Sequence, residues 1–450
     1  MKKSSVLKTL IASVLAIILC LSIIIPVFAD DELNPISSGT DSKNPAGAAI
    51  TKQLQIPIGT KIPTGGITFK FDVTLTAVDE KEDSAIEAGD IPQIDDEDAD
   101  EFTIEITYPA SDFTNLLITY DYDDDGNIFT LINESEDIFA DVVFPHEGLY
   151  QFEITEQTES YTIADDNHET LTYSGAKYLV TAYVTTDKDG VLFVKFISAF
   201  VVIPDDEEEQ EEDDKVDPTP GGGPEGDHSE MVFTNTYVRT NGSGDGEEEP
   251  EDSDDATLIV SKTVTGDFGN KSLYFDFTLT ITVPELVTEP KEAYIAYIVE
   301  EISEETEGLE GPVVTISYDV IGDPIEFENE TPNTFKLKHG QKLVFVDTPV
   351  GTVYEVEETG SVGYKPSVIV VYDGKAKPNV TGTQNNKLGV EDELVGEDEN
   401  SADFTNDNDT KAPTGLDLND LPFIGMIVLA IVGISVYLIF KMSRKNPTQK

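Results

Sequence analysis

The sequence has one cysteine, no tryptophan and few basic residues. The single cysteine in 450 residues, Cys20, sits in an apolar N-terminal leader. No disulfide can form in the rest of the chain, which excludes the usual covalent staple of exported proteins. Lys and Arg total 28 against 89 Asp and Glu, a formal net charge of -61. Nucleic acid is excluded as a partner, because phosphate backbones are bound by clustered cations and there is no basic stripe. The four histidines (His146, His168, His228, His339) are scattered without metal-ligand spacing, so neither a metal nor a cofactor is expected. No phosphate loop or nucleophile–base motif appears. Sustained helical periodicity is missing outside the two termini.

Both ends carry addresses. Lys2, Lys3 and Lys8 precede an apolar run over 10–25 and a small-residue site at Val27-Phe28-Ala29, the pattern of a secretory signal peptide covering 1–29. A polar spacer follows at 30–46. At the other end, 421–440 is a mostly apolar stretch long enough to span a bilayer, and Lys441, Arg444, Lys445 and Lys450 form a basic cytoplasmic tail over 441–450. Within 409–420 stands Lys411-Ala412-Pro413-Thr414-Gly415. A Pro-Thr-Gly element, an apolar helix and a basic tail in this order resemble the sortase sorting signal of Gram-positive surface proteins. Lys411 and Ala412 depart from the Leu-Pro that normally opens that motif. The resemblance implies cleavage between Thr414 and Gly415 and attachment to the cell wall; a permanent single-span anchor is the alternative.

Between the ends the pattern is β. Alternating apolar and polar residues at 67–78, 102–108, 149–156, 178–184 and 191–196 predict strands of a first domain over 47–240. Asp187-Lys188-Asp189-Gly190 and Asp123-Asp124-Asp125-Gly126-Asn127 read as hairpin turns. Acidic and Pro/Gly-rich residues at 205–229 read as a solvated loop, and 241–255 as a linker. A second β domain spans 256–408, with strands expected at 274–283, 313–318, 334–337, 343–346, 353–358 and 367–372. The expected fold class is all-β, two tandem sandwiches.

The two domains repeat one another. Each opens with a strand in which a lysine shares the apolar face, Lys52 with Ile50, Leu54 and Ile56, and Lys262 with Leu258, Val260 and Val264. Each later has an aromatic, an aliphatic and a glutamate at alternate positions, Phe152-x-Ile154-x-Glu156 and Tyr354-x-Val356-x-Glu358. Each closes with Phe-Thr-Asn, ending at Asn235 and Asn406. Lysine and glutamate lie 104 residues apart in the first and 96 in the second. Parity therefore aims a Lys, a Glu and an Asn into each core.

Burial lowers a lysine pKa and raises a glutamate pKa. A neutral amine can attack a carboxamide carbon while the Glu shuttles protons, for instance to the amide oxygen; ammonia leaves and a Lys–Asn isopeptide bond remains. A noncovalent network of the same three groups is the alternative. On these residues both regions resemble the isopeptide-linkage domains of Gram-positive pilins and the related B-type repeats of collagen adhesins. The resemblance implies immunoglobulin-like sandwiches, Glu156 and Glu358 as the proton shuttles, and crosslinks Lys52–Asn235 and Lys262–Asn406. It also implies a cell-surface structural role without turnover of an external substrate. Expected partners are sortase, peptidoglycan or other pilin subunits, and the membrane through the C-terminal span. Tyr108-Pro109 is followed by Ala110 where a pilin motif would carry Lys. An adhesin that binds a host or matrix ligand through its loops is the rival reading.

Overall fold

The computed structural model describes residues 37–409, apart from 80, 83–84, 96, 111–118, 123–126, 164–167, 206–209, 223–227, 241–247, 288–289 and 309–310. The leader 1–29, Thr414, Gly415, the 421–440 span and the basic tail lie outside the described residues. Among those described, no helix is long and apolar enough to cross a membrane. The described chain is all-β, with short 3-10 turns as its helical elements.

Two pairs of sheets hold two separate cores. In the first, Glu169–Thr172, Val232–Arg239, Thr51–Pro57, Ile128–Glu134 and Thr119–Tyr122 form one sheet in that order. Facing it, Leu192–Ile203, Lys177–Thr186, Gly148–Glu156 and Ile67–Val78 form the other, with Glu101–Tyr108 along its edge. In the second pair, Gly311–Val320, Tyr294–Gly308, Gln341–Phe345, Leu258–Thr265, Ser401–Asp407 and Lys365–Tyr372 are ordered across one sheet. Asn333–Leu337, Phe275–Thr282, Val353–Glu358 and Leu388–Leu394 make the other.

Alternation explains why these segments become strands. Ile67–Val78 buries Ile67, Phe69, Phe71, Val73 and Leu75 in turn and leaves the residues between them half-exposed. Burying an aromatic or aliphatic side chain of this kind contributes roughly 1.5–3 kcal/mol. A one-residue slip would turn that whole face to water, so the register is strongly specified. The hydroxyl of Tyr108 is shared between the carbonyl oxygens of Lys52 at 2.6 Å and Leu131 at 3.0 Å, fixing the lysine strand against the facing sheet.

In both units the first and last strands are neighbours and run parallel. Lys52 pairs with Phe233 and Leu54 with Asn235; Lys262 pairs with Phe404 and Val264 with Asn406. Each asparagine is thus held one pleat beyond its lysine by the same register. Parallel pairing of chain segments so distant in sequence leaves no local signal.

The structure departs from the sequence reading in several places. The acidic loop 205–229 is partly folded: Lys215–Val216 pairs with Ala199 and Phe200, and Val216 and Ser229 are buried. The linker 241–255 ends in a 3-10 turn at Ser253–Asp255, and the N–H of Tyr318 donates to the Glu251 carbonyl. Strands at Ile128–Glu134, Tyr294–Gly308 and Leu388–Leu394 were not anticipated. Thr119–Tyr122 and Ile128–Glu134 pair antiparallel around the acidic 123–126 segment, itself outside the described residues. The Asp187–Gly190 turn closes as expected, with Gly190 in the left-handed region at φ 79°.

The two units meet at a polar junction. Lys61 bridges Asp373 at 2.9 Å and Asp398 at 2.8 Å, and Arg239 contacts Glu397 at 3.1 Å. Gly351 has φ 86°, and a Cβ there would lie 2.5 Å from Pro57, so a side chain would wedge the units apart.

Candidate functional site

Each core contains one lysine, and the structure brings to it the glutamate and asparagine expected from parity. Lys52 and Asn235 are 0 % exposed, and Lys262, Glu358 and Asn406 are each 1 % exposed. Charged side chains are almost never buried this completely without partners. Lys52 Nζ lies 3.1 Å from both carboxylate oxygens of Glu156 and donates to the Phe233 carbonyl at 3.0 Å. Asn235 Nδ2 donates to Glu156 Oε1 at 2.8 Å. In the second unit Lys262 Nζ donates to Glu358 Oε2 at 2.8 Å, and Asn406 Nδ2 donates to Glu358 Oε1.

Position follows from the sheets. Lysine and asparagine come from adjacent strands of one sheet; the glutamate reaches across from the strand of the other sheet that ends at it. Glu156 pairs with Phe71 and Glu358 with Phe277, so the equivalence of the two sites extends to backbone register.

The carboxylate meets the amide through its nitrogen in both units. The sequence reading expected the carboxyl group at the amide oxygen; instead Oε1 faces the amide nitrogen in both units, while the amine meets both carboxylate oxygens in the first and Oε2 in the second. Such a carboxylate can take a proton from Nζ and pass it to Nδ2 without moving.

A pair of phenylalanines completes each site, and the sequence reading overlooked them. Lys52 Nζ stands 4.7 Å from the ring centre of Phe69 and 6.0 Å from that of Phe71; Lys262 Nζ stands 4.3 Å from Phe275 and 5.8 Å from Phe277. Phe71 also packs edge-on against Phe233 at 5.0 Å, as Phe277 does against Phe404 at 5.3 Å. The rings exclude water while their faces attract the ammonium. The repeated Phe-x-Phe at 69–71 and 275–277, in the second strand of each region, was the available signal.

The electrostatics follow from dryness. Burial pushes the lysines down to about 8, against the pull of the neighbouring carboxylates. Burial likewise raises Glu156 and Glu358, opposed by the lysines and the asparagine amides. Both shifts shrink the gap between acid and base, easing proton transfer within the pair.

The two sites differ at the amide oxygen. The main-chain N–H of Ser174 donates to Asn235 Oδ1 at 2.6 Å, with Glu156 Oε2 farther away at 3.2 Å. Asn406 Oδ1 is buried without a hydrogen-bond partner. Among the described residues, no group of His, Cys, Asp and Glu could hold a metal.

Residues 48–238 match the family model of the Spy0128-like isopeptide containing domain, and residues 256–408 match a domain of unknown function, DUF7601. A pilin of Streptococcus pyogenes serotype M1 is 24% identical over 318 residues, which covers 70% of this chain and 74% of that protein. The crystal structure of the major pilin from Streptococcus pyogenes shares 20% identity, covering 80% of this chain and 99% of that one at a TM-score of 0.27. The T-13 major pilin of the same species shares 17%, covering 84% and 100% at a TM-score of 0.27. Residues 48–238 therefore match the Spy0128-like isopeptide containing domain, and the chain as a whole is similar to a streptococcal pilin.

Proposed function

We propose that the chain is a structural subunit of a Gram-positive cell surface, stiffened by two internal isopeptide bonds, Lys52–Asn235 and Lys262–Asn406. The observation that carries this reading is the recurrence of the same buried Lys–Glu–Asn contact, in the same strand register, in two otherwise different sandwiches.

The proposed step balances within each core. Nζ attacks Cγ of the asparagine and forms the C–N bond, and the carbonyl electron pair moves onto Oδ1. Glutamate accepts a proton from Nζ at one oxygen and delivers one to Nδ2 from the other. The Cγ–Nδ2 bond breaks and ammonia leaves. The carboxylate is regenerated, so it acts once as a shuttle and is not consumed. Close packing supplies the positioning, and the dry phenylalanine walls suppress hydrolysis.

The attacking amine itself supplies the proton that reaches Nδ2, so the competent pair is a neutral lysine beside an ionised glutamate. As pH rises through about 8 the Lys52 ammonium gives way to the neutral amine. Closure is expected to speed up through that pH and level off above it, measured as the rate at which linked peptide appears in newly made chain. A rate that falls as pH rises through about 8 would refute the shuttle.

Covalent closure suits a protein held at one end and pulled at the other. Load entering through the first strand and leaving through its parallel neighbour would pass into the crosslink instead of the strand hydrogen bonds. Export by the 1–29 leader, sortase cleavage at Thr414–Gly415 and linkage to peptidoglycan or to other subunits complete the proposal. Ladders of SDS-resistant species in cell-wall extracts, collapsing to one band when Thr414→Ala is introduced, are the expected result. A single band from the unsubstituted chain would refute polymerisation.

A further inference from the structure

The closure reaction leaves one charge unaccounted for. Because each glutamate faces the amide nitrogen, it does not serve the oxygen on which negative charge develops during attack. In the first unit that oxygen already accepts the Ser174 N–H at 2.6 Å. In the second it has no donor.

The difference has a topological cause. In both units the strand that follows the glutamate in sequence runs antiparallel beside the asparagine strand. In the first unit it is Glu169–Thr172, and its last pair is Thr172 with Thr236. The chain then leaves the sheet next to Asn235, and the turn that follows aims the Ser174 N–H inward. In the second unit Lys365–Tyr372 continues along the asparagine strand to the pair Val371–Ser401, and Pro366 stands opposite Asn406. Proline has no N–H to offer.

The Ser174 turn is clamped. Ser174 Oγ donates to Asp205 Oδ1 at 2.5 Å and accepts from the Ala176 N–H at 3.1 Å. The same Asp205 oxygen accepts the Thr234 N–H at 2.8 Å, tying the turn to the asparagine strand one residue before Asn235.

We propose that the main-chain N–H of Ser174 is an oxyanion donor for crosslinking of the first unit, that Asp205 is the residue that positions it, and that the second unit, which has no such donor, closes more slowly. The inference rests on the isopeptide reading above. During attack the Cγ–Oδ1 electrons settle on Oδ1 against this N–H, and they return when the Cγ–Nδ2 bond breaks. A preorganised donor of this kind is worth about a hundredfold or more in rate.

The test uses the full chain made by cell-free translation, with synthesis stopped and aliquots denatured at intervals. After digestion, mass spectrometry counts the linked peptide from each unit. The first unit is expected to close about a hundredfold faster than the second. Asp205→Ala is expected to slow the first about 10- to 100-fold through loss of alignment, with the second unit unchanged as the internal control. Asp205→Asn keeps an acceptor oxygen for Ser174 and Thr234 and is expected to restore the rate. Equal rates in the two units, or an Asp205→Asn chain as slow as Asp205→Ala, would overturn the donor assignment while leaving crosslinking intact. Absence of linked peptide from both units would instead defeat the isopeptide reading on which the inference rests.

Discussion

A chain carrying Glu156→Gln is expected to lose one ammonia where the unsubstituted chain loses two. Glutamine nearly matches glutamate in shape, and its oxygen can still accept the Asn235 Nδ2 proton now held by Glu156 Oε1 at 2.8 Å. What it cannot do is carry a proton from Nζ to the leaving nitrogen. Removing general acid–base transfer costs about 10²–10⁴ in rate, enough to leave the first unit open on the timescale of a preparation. The second unit, with its own Glu358 in contact with Lys262, closes as before and reports that the chain is folded. Mass and peptide mapping distinguish the outcomes. A linked Lys52–Asn235 peptide in full yield from the Glu156→Gln chain would contradict the assigned role.

Loss of the crosslink is expected to be the largest single stability change available in the first unit. Asn235→Ala removes the bond but leaves the Lys52–Glu156 ion pair in place, so no buried charge is stranded. The bond closes a loop of roughly 180 residues, and by analogy with disulfides such a constraint on the unfolded chain is worth about 5 kcal/mol. In a unit of this size that corresponds to a fall in Tm of about 10–20 °C. Lys52→Ala should cost more, because it also leaves Glu156 buried without its cation. Calorimetry of the full chain would resolve this as a shift of one transition, that of the second unit staying fixed. An unchanged thermogram for Asn235→Ala would mean that the first core gains nothing from the bond.

The site was more legible than the topology. A lysine on an apolar strand face is conspicuous because charge and periodicity conflict, and its recurrence with Glu and Asn at matching parity located all six side chains. Phe69, Phe71, Phe275 and Phe277 read as ordinary core residues, since nothing in an alternating strand marks which rings will line a cation. Ser174 left no trace, because what it contributes is a main-chain N–H aimed by a turn. Strand assignment failed where strands carry charge. Leu388–Leu394, at a sheet edge, holds three consecutive acids and only a short apolar pattern, and Tyr294–Gly308, between Gly311–Val320 and Gln341–Phe345, turns acidic beyond Val299. The loop 205–229 looked wholly solvated because its composition hid Val216, which fills a gap beside Leu192–Ile203.

The junction bears on mechanics as well. Lys61 and Arg239 place cations from the first unit against Asp373, Asp398 and Glu397 of the second in an otherwise acid-rich protein. A crosslinked unit transmits force stiffly only if its neighbour is held in line. Of these five side chains only Asp398 is exposed and the other four are partly buried, so salt screens the pairs in part. The proposed crosslinks inside the units and ionic contact between them would give the chain stiff segments joined by a noncovalent seam.

The central claim is that Lys52–Asn235 and Lys262–Asn406 become covalent bonds, and mass spectrometry of the full chain tests it most directly. The chain should be lighter than its Glu156→Gln, Glu358→Gln double variant by two ammonia molecules, once the substitutions are corrected for. Digestion should also yield peptides in which each lysine is joined to its asparagine. Masses that differ by the substitutions alone, with all four residues recovered on separate peptides, would contradict the account.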